Sequence, residues 1–213
     1  MRLVLVDLGA EGLKGVHEEA ARLMYPLQSE MDLNISVVLK AAAVGLGTDF
    51  ATRQAAKCQS KVMLSGLGAD EYFCGYSRHR VAFLRGGLGE MNREMLFDQN
   101  RLWVRNLGRD DRVVSSEGRE VRTPFLTRGV IEFSKQVPLQ LLSSMKAKGS
   151  GVAWRNKKVL RRVARSLGLS VACELPKKAI QFGSGLAKES NCLKYGSHRK
   201  AKGQFKAKGF SED

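Results

Sequence analysis

The chain has 213 residues, a little more than one typical domain, and with 43% apolar and 27% charged residues it reads as globular with a buried core. No apolar run approaches the roughly 20 residues a bilayer-spanning helix needs; the longest candidate, Leu33 to Leu46, is broken by Lys40. The net charge of +15 is uneven: residues 1–144 carry 19 Lys/Arg against 17 Asp/Glu, and residues 145–213 carry 17 against 4. That pattern argues against a nucleic-acid binder basic along its whole length.

Leu3-Val4-Leu5-Val6, too short for a signal peptide, predicts a strand ending before Gly9 and Gly12. Val16, Ala20 and Leu23 recur at helical spacing and predict a helix over 16–25, stopped by Pro26. Asp32 or Asn34 is expected to cap a second helix, apolar on most sides through Ala43 and closed by Gly45-Leu46-Gly47. Thr48 or Asp49 is expected to cap a third, over 50–58. Lys61 to Ser65 reads as a second strand. Strand, helices, strand predicts an α/β fold with parallel pairing, because parallel strands need a crossover.

From Asp70 onward the pattern is mostly helical: Met91 to Leu107, Arg109 to Glu117, Thr127 to Lys135, and then Trp154 to Leu167. In the last of these, Val159, Leu160, Val163 and Leu167 form an apolar stripe, and the arginines read as a solvated face. No third strand stands out. Two strands do not make a stable sheet, so the chain is expected to be part of something larger. Residues 189–213, rich in Gly, Ser and Lys without apolar periodicity, read as a basic disordered tail. Aromatic residues are not interleaved with the basic ones as in single-strand binders, which leaves nucleic acid a weak expectation.

Cys58, Cys74, Cys173 and Cys192 lie far apart with no C-x-x-C, which argues against zinc and against a disulfide scaffold and predicts a reduced, cytoplasmic protein. His17, His79 and His198 share no spacing with a Ser or Cys nucleophile and read as surface or core residues.

The strongest chemical signal is Ser65-Gly66-Leu67-Gly68-Ala69-Asp70-Glu71. An apolar strand runs into a glycine-rich bend whose N–H groups can approach a ligand, and two carboxylates follow that suit magnesium shared with phosphates. Taken alone it is equally a turn in which Asp70 caps a helix. Arg109, Arg112, Arg119 and Arg122 can clamp carboxylates or phosphates, or can pair with Asp110, Asp111, Glu117 and Glu120 as structural ion pairs. Lys177 and Lys178 precede a Gly-rich segment, where a lysine can hold pyrophosphate or lie in solvent.

Together these residues resemble the synthetase domain of the asparagine synthetase family. The matches are Ser65 to Glu71 with Gly75-Tyr76, Gly118 to Leu126, and Lys177 to Gly183, in the family's order. One branch of that family is closer still, through residues 75–80, 105–113 and 175–184. The likeness covers roughly residues 1–190, read as a partial synthetase domain over 1–188 followed by the basic tail.

The resemblance implies an adenine-nucleotide alpha-hydrolase-like α/β fold, incomplete and mostly helical in its C-terminal half. It implies ATP with Mg2+ activating aspartate as an aspartyl-adenylate, which ammonia from a glutaminase domain then attacks. Asp70 becomes a magnesium ligand, and Ser65, Gly66, Gly68, Glu71 and Lys177 surround the nucleotide. Lys178, or Lys177, meets the pyrophosphate, and Arg112 clamps a substrate carboxylate or phosphate.

Three departures matter. The family's first ATP loop, Ser-Gly-Gly-x-Asp-Ser, is missing, since Leu5-Val6-Asp7-Leu8-Gly9 lacks its serines and paired glycines. The chain starts Met-Arg, without the glutaminase cysteine. Leu67 stands where the family places a Glu as general base, and leucine accepts no proton. These departures predict impaired ligase activity in a fragment or short form. The alternatives are a pseudoenzyme or scaffold docking an acidic protein partner, or weak RNA association through the basic third.

Overall fold

The computed structural model describes residues 3–27, 29–148 and 151–188. In chain order the elements are β1 (Val4–Leu5), α1 (Ala10–Leu23), α2 (Glu30–Val44), β2 (Leu46–Asp49), β3 (Ala55–Lys57), β4 (Val62–Leu64), α3 (Ala69–Tyr72), α4 (Ser77–Leu102), α5 (Gly108–Ser115), β5 (Glu120–Arg122), α6 (Arg128–Gln136), α7 (Leu139–Leu142), β6 (Ser144–Lys148), β7 (Gly151–Arg155), α8 (Lys158–Ser166) and α9 (Ile180–Gly183). This mixture of helices and strands is the expected α/β content. It falls into two compact units: the described parts of Met1–Met63, Arg105–Arg122 and Lys178–Asp213, and those of Leu64–Val104 and Thr123–Lys177. The expected tail, 189–213, lies outside the described residues.

In the first unit α1 packs on α2. Ala20 and Met24 meet Leu33 and Val37, with Leu8, Leu13, Val16 and Leu186 around them. Leu13, Val16 and Ala20 are three and four apart, so they share one helix face. The cap of α2 is Ser29, not Asp32 or Asn34: its Oγ accepts from the Asp32 N–H at 3.2 Å. Gly45 closes the helix as expected, at φ 67°, with its N–H on Ala41 O. Lys40, only 1% exposed, is sandwiched by Glu19 at 2.6 Å and Glu117, with Ser116 Oγ at 2.9 Å. Burial pulls its pKa down, but the two carboxylates outweigh burial and leave it raised.

The expected helix over 50–58 is overturned, and so is the pairing of the two expected strands with each other, since β1 lies in one sheet with β2 and β3 while β4 pairs with β5. β2 pairs antiparallel with β1 (Val4 opposite Asp49) and with β3 (Leu46 opposite Lys57). The physical reason is local. Asp49 Oδ1 accepts from the N–H of Ala51 and of Thr52, both at 2.9 Å, which are the bonds a helix cap would make. Arg53 then turns at φ 59°, and Asp49 N–H reaches Gln54 O at 2.9 Å, so the chain folds back into a hairpin. The sheets are a three-stranded β1-β2-β3, and the two-stranded β4-β5 and β6-β7, the last also antiparallel. The expectation of only two strands therefore fails, because each added strand is short and lacks an apolar run.

In the second unit Phe73, Cys74, Met91, Met95 and Leu142 form the core, flanked by Phe83, Phe125, Trp154, Val159 and Leu160. Helix α4 starts at Ser77, well before the expected Met91, and is interrupted at Gly86–Gly87, where Gly87 has φ 68°. Trp154 and Arg155 belong to strand β7, so the basic helix begins only at Lys158. The helix expected over Thr127 to Lys135 is α6, and Thr127 just before it makes no capping bond, its Oγ1 donating instead to Pro124 O at 2.9 Å. His79 is fully buried, its Nε2 2.9 Å from Asp98 Oδ2, a core histidine as expected; His198 lies outside the described residues. Among the described residues no helix is long and apolar enough to cross a membrane.

Candidate functional site

The site is built within the second unit. β4 delivers the chain into Ser65, whose Oγ accepts from the Leu67 N–H at 3.2 Å and starts the bend. Ala69 N–H returns to Gly66 O at 3.2 Å, and Gly68 takes φ 94°. A Cβ at Gly68 would also lie 2.4 Å from Leu126 Cδ2, so sterics on both counts demand glycine. Leu126 and Phe125 come from the second family-like motif, and the Phe125 ring sits edge-on to Phe73 at 6.3 Å between centroids. The two motifs thus pack on each other. A Cβ at Gly66 would meet open space.

Helix α3 is a single turn that presents Asp70 and Glu71 in different directions. Glu71 is buried, 3% exposed, and its Oε1 accepts from the Tyr76 hydroxyl at 2.6 Å. Burial first, and then the Glu71 charge, push the Tyr76 phenol well above its ordinary pKa. Asp70 faces two cations: its Oδ1 is 3.0 Å from Lys157 Nζ and 3.6 Å from Lys177 Nζ. The side chains of Asp70, Lys157 and Lys177 are 23%, 21% and 18% exposed, sheltered enough to strengthen charge interactions yet open to solvent. One carboxylate offsets one ammonium, so the cluster keeps a net positive charge suited to an anion. Among the described residues no group of three or more His, Cys, Asp or Glu is gathered to hold a metal.

Lys157 immediately precedes α8 and has φ 51°, a conformation that L side chains rarely adopt. Sequence reasoning missed it, absorbing it into the solvated face of a helix. Its signal was positional: the apolar stripe starts at Val159, so Lys157 lies at the mouth of the helix rather than along its side. Lys177 Nζ also lies 4.9 Å from the centroid of the Tyr76 ring.

Ser65, Gly66, Gly68, Asp70, Glu71 and Lys177 therefore share the second unit, while Arg112 and Lys178 belong to the first. Arg112 donates from Nε to Leu23 O at 2.8 Å and from Nη2 to Met24 O and Tyr25 O, closing the end of α1. Its neighbours are equally structural. Arg109 pairs with Asp32 and Asp110, Arg122 with Glu120, and Arg119 with backbone carbonyls. Burial raises the Asp110 pKa against the opposing pull of Arg109, and the nearby Asp32 charge adds to the rise. Asp111 and Glu117 do not take the arginine partners expected of them; Glu117 goes to Lys40.

The family model described as asparagine synthase matches residues 41–89 and 84–185. The human asparagine synthetase domain-containing protein 1 is 41% identical over 169 residues, 78% of this chain and 26% of that protein. The chicken protein of the same name is 39% identical over 175 residues, 79% of this chain and 27% of the relative. An asparagine synthetase domain-containing protein of Saccharomyces cerevisiae is 35% identical over 195 residues, 88% of this chain and 34% of its own length. The chain thus spans roughly a quarter to a third of these relatives.

Proposed function

Because this chain belongs to the asparagine synthase family, we propose that Asp70, Lys157 and Lys177 hold the phosphates of ATP for the activation of aspartate, on an adenine-nucleotide alpha-hydrolase-like fold. The observation that carries this reading is the convergence of two ammonium groups on one carboxylate at the foot of the glycine bend.

In adenylation an oxygen of the aspartate side-chain carboxylate attacks the α-phosphorus, and the bond to the leaving pyrophosphate breaks. Negative charge grows on the leaving group, where Lys157 and Lys177 supply fixed positive charge in a sheltered site. Lys177 takes this role rather than Lys178, because its ammonium is the one that reaches Asp70. Arg112 is not assigned a substrate, since its Nε and Nη2 are already given to carbonyls. Magnesium, when bound, neutralises phosphate charge. Asp70 is the side chain here that would hold it, with phosphate oxygens and water supplying the other ligands. The Ser65–Gly68 bend leaves room for the nucleotide beside Gly66, where a Cβ would meet nothing.

The amide-forming step calls for a base near the attacking ammonia, and Leu67 supplies none. We therefore assign this chain nucleotide binding and carboxylate activation, with amide transfer to aspartate impaired.

Isothermal titration of the 213-residue chain with pyrophosphate and with ATP-Mg tests the reading. Saturable binding is expected, weakened about tenfold or more by Lys157→Ala or Lys177→Ala as one charge-assisted bond is removed. A flat trace, or lysine variants that bind like the wild type, refutes it.

A further inference from the structure

Lys177 lies between a short 3-10 turn at Ala172–Glu174 and helix α9, directly after Pro176, in a stretch with neither helix nor strand. Nothing in a backbone ladder fixes it, and a free lysine side chain has many rotamers to lose. Its ammonium must therefore be placed by what it touches. Asp70 is one contact, but at 3.6 Å it is longer than the 3.0 Å that joins the same oxygen to Lys157. Among the described residues another contact is the Tyr76 ring, 4.9 Å from ammonium to centroid. A cation over an aromatic face is attracted by the ring quadrupole, more strongly where water is partly excluded.

The ring is itself held on several sides. Its hydroxyl donates to the buried Glu71. It meets the His79 ring edge-on, centroids 5.4 Å apart, and His79 is fixed by Asp98. The Arg78 guanidinium carbon lies 4.2 Å from the same ring, and Arg78 is tied to Asp98 and Glu94. A rigid π surface thus stands beside the one lysine of the cluster that its backbone leaves unconstrained.

We infer that Tyr76 is a positioning residue that holds Lys177 in the phosphate site through the face of its ring, its hydroxyl serving only to fix that ring. This rests on the reading of Asp70, Lys157 and Lys177 as a phosphate site. The test has two arms. In the first, the chain labelled with 13C-lysine is observed by NMR, with the Lys177 side-chain signals assigned by their loss in Lys177→Arg. The Lys177 methylene next to the ammonium is expected upfield of the solvated lysines, through the ring current of Tyr76. Tyr76→Phe keeps that shift and Tyr76→Leu abolishes it.

In the second arm pyrophosphate is titrated into each variant. Tyr76→Leu is expected to bind about five- to thirtyfold more weakly and Tyr76→Phe within about twofold of wild type. Equal loss in Tyr76→Phe and Tyr76→Leu overturns the inference by placing the effect in the hydroxyl. An unshifted Lys177 in the wild type overturns it without need of any variant that might misfold. A wild-type chain that ignores pyrophosphate while Lys177 keeps its ring-shifted signal refutes the phosphate reading and still supports the hold of Tyr76 on Lys177.

Discussion

Arg119 and Arg122 lie three residues apart in one family-like motif, yet the structure gives them opposite weights. Arg119 is 8% exposed; its Nη1 donates to Ser60 O and its Nη2 to Cys58 O, both at 2.7 Å, with Val44 O at 3.4 Å. These carbonyls are the end of α2 and the turn after β3, which one guanidinium ties together. Net contributions of about 1.5–3 kcal/mol are usual for hydrogen bonds to a charged partner. Two short bonds, discounted because water can reach part of the turn, lead to an expected loss of about 3 kcal/mol for Arg119→Ala. With a urea slope of about 2 kcal/mol per molar, the midpoint of the first unit falls by about 1.5 M. Arg122 pairs with Glu120 in full solvent, and Arg122→Ala is expected to leave the melt unchanged. Urea unfolding followed by circular dichroism separates the two. If both variants melt with the wild type, the carbonyl-bridging account of Arg119 is wrong. If Arg119→Ala keeps its stability but loses pyrophosphate affinity, the arginine belongs to the ligand instead.

Two further outcomes are expected. Burial pushes the Asp98 carboxyl upward, but hydrogen bonds from His79 and Arg78 outweigh it and hold its pKa below the ordinary value. Its contribution is therefore complete above the usual carboxylate range and is lost as pH falls through the lowered folded value. Asp98→Asn should cost about 3 kcal/mol at neutral pH and flatten the acid limb of stability; urea midpoints that drop as steeply in acid as the wild type's would contradict this. Burial raises the Cys74 thiol to about 11, against a smaller opposing effect of a hydrogen bond with Ser143. Iodoacetamide at about pH 8 should therefore leave Cys74 unmodified until urea is added, and its labelling in the folded chain, read by peptide mass mapping, would refute the burial argument.

Much of this was written locally in the chain. Gly45 closes α2 because a left-handed cap has to be glycine or nearly so, and that rule needs no tertiary information. The loop at 65–71 announced itself by composition, and so did the lysine at 177. The hairpin over 46–57 did not, because Asp49 binds the same two downstream N–H groups whether a helix or a turn follows. What decides is Arg53 at positive φ, which no apolar period reports. Lys157 was hidden for a different reason: a run of lysines and arginines looks alike at every position until the packing of Val159 and Leu160 fixes which end of the helix faces inward. The arginines of 109–122 were ambiguous between ligand and scaffold for the same cause. A guanidinium fits a carbonyl as well as it fits a phosphate, and only the fold says which is near.

Gly75 gives the Asp70–Lys157 pair its address by having nothing at Cβ. An added methyl there would fall 1.8 Å from Asp70 Oδ1 and 2.6 Å from Lys157 Cε, evicting both partners although no formal charge had changed. A comparison of sequences that scored only acids and bases would count such a chain as intact. The missing side chain at position 75 shapes that ion pair as much as the charges that meet there.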